Sequence, residues 1–185
     1  MSEWDRKRDI MRRYDVTARM YDMRYAEEQT AKIKAALKPL GINMKGCALD
    51  VGCGTGLLFN HVADKAEMVV GLDISGKTLL EARKRAGSFP NICLVLADAD
   101  HLPFVTYVFR FVFAFTLIQN LPNPNKTLCE IRRVARDDAV IVVTGMKKAF
   151  TRRSLEGLLE DSGLRIHALK DEGLKCYVAT CKKLV

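Results

Sequence analysis

Cys47-Ala-Leu-Asp-Val-Gly-Cys-Gly-Thr-Gly-Leu57 carries a short apolar run into three glycines at alternate positions. The run reads as a strand, and the residues after it read as the start of a helix. Glycine lets the backbone turn sharply at such a junction and approach a ligand with no Cβ in the way. A dinucleotide fingerprint, G-x-G-x-x-G, would need glycine at position 57, where this chain has leucine. What stands here is G-x-G-x-G preceded by Asp50, which disfavours a nucleotide-dependent oxidoreductase.

Working outward, apolar β-branched segments recur at 47–51, 68–73, 92–97, 111–115, 140–144, 165–169 and 176–180, which predicts seven strands. The spacers up to the sixth strand are long enough for crossovers, and 77–86, 125–135 and 151–162 carry helical periodicity. That alternation predicts an α/β, Rossmann-like, mostly parallel sheet with helices on both faces. The last spacer, 170–175, is too short for a crossover, so the seventh strand should return antiparallel. Residues 2–40 read as helix ahead of the first strand. There Met11, Tyr14, Ala18, Tyr21 and Tyr25 share one face, which either packs on the sheet or closes as a lid over a site at the strand tips. No linker divides the chain, so residues 1–185 form one expected domain, with a helical segment over 1–42 and a core over 46–182.

The second strand ends in Gly71-Leu-Asp-Ile-Ser75, where Asp73 can accept hydrogen bonds from two ribose hydroxyls. The third ends in Leu96-Ala-Asp-Ala-Asp100, where Asp98 can accept from an exocyclic adenine amine. Carboxylates at the carboxyl ends of consecutive parallel strands ordinarily serve a ligand in the crevice there.

The runs Leu-Asp-Val-Gly-Cys-Gly-Thr-Gly, Gly-Leu-Asp-Ile-Ser and Ala-Asp-Ala-Asp-His-Leu-Pro-Phe together resemble the class I S-adenosylmethionine-dependent methyltransferases, in particular the small single-domain "type 11" group. The resemblance covers residues 46–182. It implies that Asp50 and the backbone of Gly52, Gly54 and Gly56 hold the methionine end of S-adenosylmethionine, with Cys53 and Leu57 in the same loop. It further implies that Asp73 takes the ribose, Ile74 packs on the adenine, and Asp98 with Ala99 reads the adenine edge. Tyr14-Asp15 and Tyr21-Asp22 resemble the Tyr-Asp segment that many of these enzymes fold over the cofactor, and an aromatic face attracts a sulfonium cation. Phe109-Arg-Phe111 departs from the pattern, since the family usually has an acid ahead of the fourth strand.

Methyl transfer to a lone pair needs alignment in a water-poor site more than a fixed catalytic set. Residues leaving the fourth strand are the candidates beside the methyl group: Thr116, which also belongs with the cofactor residues, Gln119 and Asn120. The two amides orient an acceptor or, as the alternative, form the turn around Pro122 and Pro124. Asn120-Leu-Pro is not the Asn-Pro-Pro-aromatic signature of enzymes that methylate amides. Tyr25, Asn123, Lys147 and Lys148 are candidates for holding the acceptor, with solvated surface as the alternative for Lys148.

Lys and Arg number 30 against 22 acids, a formal charge of +8. Residues 126–153 hold eight Lys or Arg against three acids, and a basic flank beside the acceptor would suit phosphates; a solvated helix face is the other reading. The first expectation is therefore an RNA acceptor, tRNA above all. A small metabolite or protein side chain is the second, and a non-catalytic cofactor-binding subunit the third. So small a core leaves room for a homodimer or a small activating subunit to complete the acceptor contacts. Six cysteines without a CxxC pair, and three histidines, predict buried reduced thiols and no metal site. No apolar run approaches a membrane span and the N-terminus lacks a signal peptide's apolar centre, so a cytoplasmic protein without a membrane segment is expected.

Overall fold

The computed structural model describes residues 2–40 and 44–184, except for the side chains of Arg19 and Tyr21. Helix α1 (Glu3–Leu37) begins at a capping box: the Ser2 hydroxyl accepts from Asp5 N, and the Asp5 carboxylate accepts from Ser2 N. After it come β1 (Met44–Val51), the short α2 (Phe59–Val62), β2 (Ala66–Asp73), α3 (Gly76–Ala86), β3 (Ile92–Leu96) and β4 (Phe109–Ala114). The chain continues with α4 (Pro124–Val134), β5 (Ala135–Met146), α5 (Arg152–Asp161), β6 (Leu164–Lys170) and β7 (Cys176–Lys183). All seven predicted strands form.

The strands make one sheet in the order β3-β2-β1-β4-β5-β7-β6. Pairing is parallel from β3 through to β5, while β7 runs antiparallel to both β5 and β6, as the short last spacer requires. The order reverses beside β1, which opens a crevice at the carboxyl tips of β1 and β4. Each sheet face has its own core. Leu49, Val112 and Ile141 pack under Leu128 and Ile131 of α4 and Leu155 and Leu159 of α5. Ala48, Val69 and Phe113 pack under Ile33 and Ala36 of α1, Phe59 of α2 and Ala82 of α3. Arg110 lies exposed in β4 and leaves that strand intact, its guanidinium bonded to Lys45 O and near Asp138.

One expectation is corrected. The cysteines are unpaired, but only Cys53, Cys176 and Cys181 are buried; Cys47 is half-buried, and Cys93 and Cys129 are exposed. Cys93 is exposed because the 97–108 connection forms no helix over that face of β3, and Cys129 lies on the outward side of α4. Cys176 and Cys181 do fall on opposite faces of β7, one in each core. The basic residues of 126–153 divide between the two ends of the sheet: Lys126 in the first turn of α4, Lys147 and Lys148 after β5, and Arg152 and Arg153 at the start of α5 lie at the carboxyl end of the parallel strands. Arg132 and Arg133 end α4 and Arg136 starts β5, at the amino end of the parallel strands, where Arg133 bonds Glu130 and two backbone carbonyls. Helices running antiparallel to their strands carry their last turn to the far end of the sheet, which separates residues that are close in sequence.

Candidate functional site

The crevice holds a cavity bounded by the tips of β1 to β4 and roofed by α1. Its floor is the glycine turn. Gly52, Gly54 and Gly56 all have positive φ, but they do different things. A Cβ on Gly54 would meet nothing within 4 Å, so the open side of that backbone faces space a ligand can use. A Cβ on Gly56 would lie 2.4 Å from the Phe59 ring, and Gly56 is absent from the cavity wall: its glycine admits a core phenylalanine. Cys53 and Leu57 line the wall with Gly52.

Three acids converge on this end of the cavity. Asp50 is 3% exposed and has its pKa pushed up to about 8 by burial and by the charge of Asp73. Burial also raises the Asp73 carboxyl, although Asp73 accepts from Gly54 N at 2.9 Å and Ser75 N at 2.8 Å, which locks the glycine turn to the tip of β2. Asp98 accepts from Asp100 N and, at 2.7 and 3.0 Å, from the Lys7 ammonium. Ile74 and Ala99 complete the wall beside these two acids. An acid held neutral by burial recovers its charge when a cation enters. The donor set therefore fits S-adenosylmethionine, whose sulfonium and ammonium are cations and whose ribose and adenine are hydrogen-bond donors.

The end of the cavity after β4 is different in kind. Its wall is Ile10, Tyr14, Gln29 and Ile33 of α1 facing Phe115, Thr116, Leu117, Asn120 and Leu121 after β4. Thr116 stands at φ +55, an uncommon place for a β-branched residue. It is held there by four bonds. Thr116 N donates to Thr144 Oγ1 at 2.7 Å, its carbonyl accepts from Asn120 Nδ2 at 2.8 Å, and its hydroxyl accepts from Lys32 Nζ and donates to Gln29 Oε1. The Asn120 amide is engaged on all sides, its Nδ2 also donating to the Tyr14 phenol at 2.9 Å and its Oδ1 accepting from Arg13. Burial raises the Tyr14 pKa, so the phenol keeps its proton.

Of the other residues expected here, Gln119 has a buried amide with no hydrogen-bond partner among the described residues and is not in the cavity wall. Tyr25 is 44% exposed and, like Asn123, Lys147 and Lys148, lies outside the wall. Lys147 pairs with Asp171 and sits over the Tyr177 ring. The Tyr21 side chain lies outside the described residues.

Sequence reasoning missed Lys7, Gln29 and Lys32. Lys7 reaches Asp98 and the wholly buried Asp100; Lys32, fully buried, pairs with Glu28 at 2.7 Å. The helix is also tied to the glycine turn, where Asp22 accepts from Thr55 Oγ1 at 2.6 Å and from Arg85, and to Ser75 through Asp15. The only signal for these is their helical spacing with Ile10, Tyr14, Ala18, Ile33 and Ala36, visible once polar residues are admitted to the buried face.

A family model described as a methyltransferase domain matches residues 49–143, just over half of the chain. A demethylmenaquinone methyltransferase of Tropheryma whipplei is 36% identical over 110 residues, covering 60% of this chain and 46% of that protein. The chain spans about half the length of the curated relatives it matches. A S-adenosylmethionine-dependent methyltransferase from Aquifex aeolicus has the same fold at a TM-score of 0.73 and 20% identity, covering 80% of this chain and 88% of that one. A chain of the complex between the Haloferax volcanii Trm112 methyltransferase activator and a methyltransferase reaches a TM-score of 0.80 at 15% identity, covering 92% of this chain and 97% of that one.

Proposed function

This chain belongs to the methyltransferase-domain family, with the class I S-adenosylmethionine-dependent fold, and on that premise we propose that it methylates a small, largely apolar acceptor enclosed beneath α1. The observation that carries the reading is the two-ended cavity: Asp50, Asp73 and Asp98 at one end, a mostly apolar wall with a few hydrogen-bonding groups at the other. S-adenosylmethionine supplies the electrophilic methyl group; the acceptor's lone pair bonds to its carbon while the C–S electron pair stays with sulfur. The chain's residues hold and align. Asp50 and Asp73 offer negative charge to the cofactor's cationic and ribose groups, Asp98 accepts at the adenine end, and Ile10, Ile33, Phe115 and Leu121 exclude water from the acceptor.

The acceptor wall has no carboxylate or imidazole among its described residues, which suits an acceptor that enters already ionised, its proton released to solvent. The name of the Tropheryma whipplei relative, demethylmenaquinone methyltransferase, supports a small-molecule acceptor. An RNA acceptor has less support, because no Lys or Arg of 126–153 lines the cavity. A small activating subunit remains part of the proposal, supported by the Haloferax volcanii complex and the minimal core.

Calorimetric titration with S-adenosylmethionine and S-adenosylhomocysteine, followed by transfer of labelled methyl to RNA, protein and small-molecule extracts, tests the reading. Micromolar binding with label in the organic-soluble small-molecule fraction is expected. Label in RNA at a steeply salt-dependent rate would replace this reading with the RNA one.

A further inference from the structure

Helices α1 and α3 lie side by side on one face of the sheet and are tied at both ends of α3. Asp15 accepts from the Ser75 hydroxyl that caps α3, and Asp22 accepts from Arg85 in its last turn at 2.8 Å. The two acids of residues 12–24 therefore face inward. What α1 presents to solvent over the same stretch is apolar and basic. Val16, Met20 and Met23 follow at i, i+4 and i+7, one face of a helix and the one opposite the buried Ala18. Val16 is 79% and Met23 89% exposed. Arg12 and Arg24 are exposed at the two ends of this stripe. Asp9, 3.8 Å from Arg12, and Glu27 bound it along the helix. α3 repeats the pattern: Lys77, Leu80 and Lys84, at i, i+3 and i+7, share one exposed face, with Arg83 beside them.

We propose that the outer faces of α1 and α3 form a docking surface for an anionic lipid bilayer. Val16, Met20, Met23 and Leu80 pass between the headgroups into the acyl boundary, while the flanking cations meet the negative charge of the leaflet. Among the described residues no helix is long and apolar enough to cross a membrane, and none is needed, because a helix of this kind lies in the plane of the interface. Charge decides among the occupants. A second copy of the chain would set the same cations against these. A nucleic-acid backbone would satisfy the cations but leave the methionines in water. An anionic bilayer answers both the cations and the apolar side chains. The inner side of α1 supplies Ile10 and Ile33 to the cavity wall, so docking sets the roof of the cavity against the lipid. The inference goes beyond the methyl-transfer reading and does not depend on it, since it stands on the solvent side of the two helices.

The test is co-sedimentation of the whole chain with sucrose-loaded vesicles, made either of phosphatidylcholine alone or of phosphatidylcholine with a third of phosphatidylglycerol. Binding to the anionic vesicles, little binding to the neutral ones, and release as salt rises are expected. Met20→Ser combined with Met23→Ser should weaken binding to the anionic vesicles about tenfold. Arg24→Glu combined with Lys77→Glu should weaken it about a hundredfold. All four positions are exposed, so thermal unfolding and S-adenosylhomocysteine affinity should stay unchanged. Leu80→Ser takes the place of the methionine pair if that variant does not fold. Equal binding to the two kinds of vesicle, no binding to either, or wild-type binding by both double variants would overturn the inference. Binding of polyuridylate in place of vesicles, undiminished by the methionine substitutions, would make the face a phosphate-backbone surface instead. A dimer in sedimentation velocity that those substitutions dissolve would assign it to a second copy. Anionic-vesicle binding by protein that does not hold S-adenosylhomocysteine would support the docking surface and defeat the methyl-transfer reading.

Discussion

The two ends of the cavity are built by different means. At the cofactor end each functional group lies within a few residues of a strand tip: Asp50 near the end of β1, the glycines just after it, Asp73 closing β2, Asp98 two residues past β3. Local chain geometry is enough to deliver them. At the acceptor end the partners are far apart in sequence, 84 residues between Lys32 and Thr116, 87 between Gln29 and Thr116, 106 between Tyr14 and Asn120. They meet only because α1 lies across the finished sheet. One end follows from a motif, and the other follows from how a helix docks.

The contrast is broken most severely at Asp73. Asp73→Ala removes a carboxylate from the cavity and also frees Gly54 N and Ser75 N, so S-adenosylmethionine affinity should fall about a hundredfold, the scale of two charge-assisted bonds. Calorimetry measures this directly. Retained affinity would mean that the acid at β2 serves the fold alone. The next pair sharpens the same point within one turn. Gly54→Ala should fold with a penalty of about 1 kcal/mol from its positive φ and lose cofactor affinity, because its Cβ enters open space. Gly56→Ala should instead lose about 2–4 kcal/mol of stability through collision with Phe59. Thermal unfolding with and without S-adenosylhomocysteine separates the two.

Asp50 adds a pH dependence to the cofactor end. Its folded pKa of about 8 lies above the ordinary 3.8, so between those values the folded protein holds a proton that the unfolded chain does not. Its contribution to stability therefore falls as pH rises through that window and levels off above 8. A cation favours the carboxylate, so binding below pH 8 must expel the proton, and affinity should rise with pH by up to about tenfold per unit. Titration in two buffers of different ionisation enthalpy should register nearly one proton released near pH 7. Asp50→Asn should abolish that release; its persistence would assign the proton to another group.

The sheet, its order of directions and the three acids of the cavity wall were legible because each rests on a local rule: alternation of strands and helices, glycine before a helix, an acid at a strand tip. Three of the residues that tie α1 to the core, Lys7, Gln29 and Lys32, were not. Apolar periodicity selected Met11, Tyr14, Ala18, Tyr21 and Tyr25 as the inner face, yet Tyr25 is exposed while Lys7, Gln29 and Lys32 are buried. A lysine scores as surface until the acids that neutralise it are in place, and Asp98 and Asp100 are brought to Lys7 by the sheet. The basic count over 126–153 located only part of its charge, since a helix that crosses the sheet carries Arg132 and Arg133 away from Lys126.

Lys7 is the smaller test of that docking. Burial alone would lower its pKa, but Asp100 and Asp98 raise it, and burial alone would raise Asp100, but bonds from Lys7 and Thr127 lower it. The pair's stabilisation is present above the ordinary carboxyl range and lost as pH falls through the lowered Asp100 value. Lys7→Met should cost about 3 kcal/mol by leaving a buried carboxylate unpaired and flatten the acid limb of the stability profile, with only a fewfold change in cofactor affinity. Loss of cofactor binding as severe as in Asp73→Ala would give Lys7, which lines the cavity, a role at the cofactor beyond anchoring α1.

The smallest effects belong outside the cavity. Asn123 caps α4 without a side-chain bond, and Lys148 is exposed beyond β5. Alanine at either position should change stability by less than about 0.5 kcal/mol and leave cofactor affinity and methyl transfer unaltered. A steady-state comparison of the two variants on the labelled small-molecule fraction checks this. Should Lys148→Ala lower kcat/KM severalfold and reduce its salt dependence, the acceptor would reach past the cavity to the charged rim, and the enclosed apolar end would be one part of a longer substrate path.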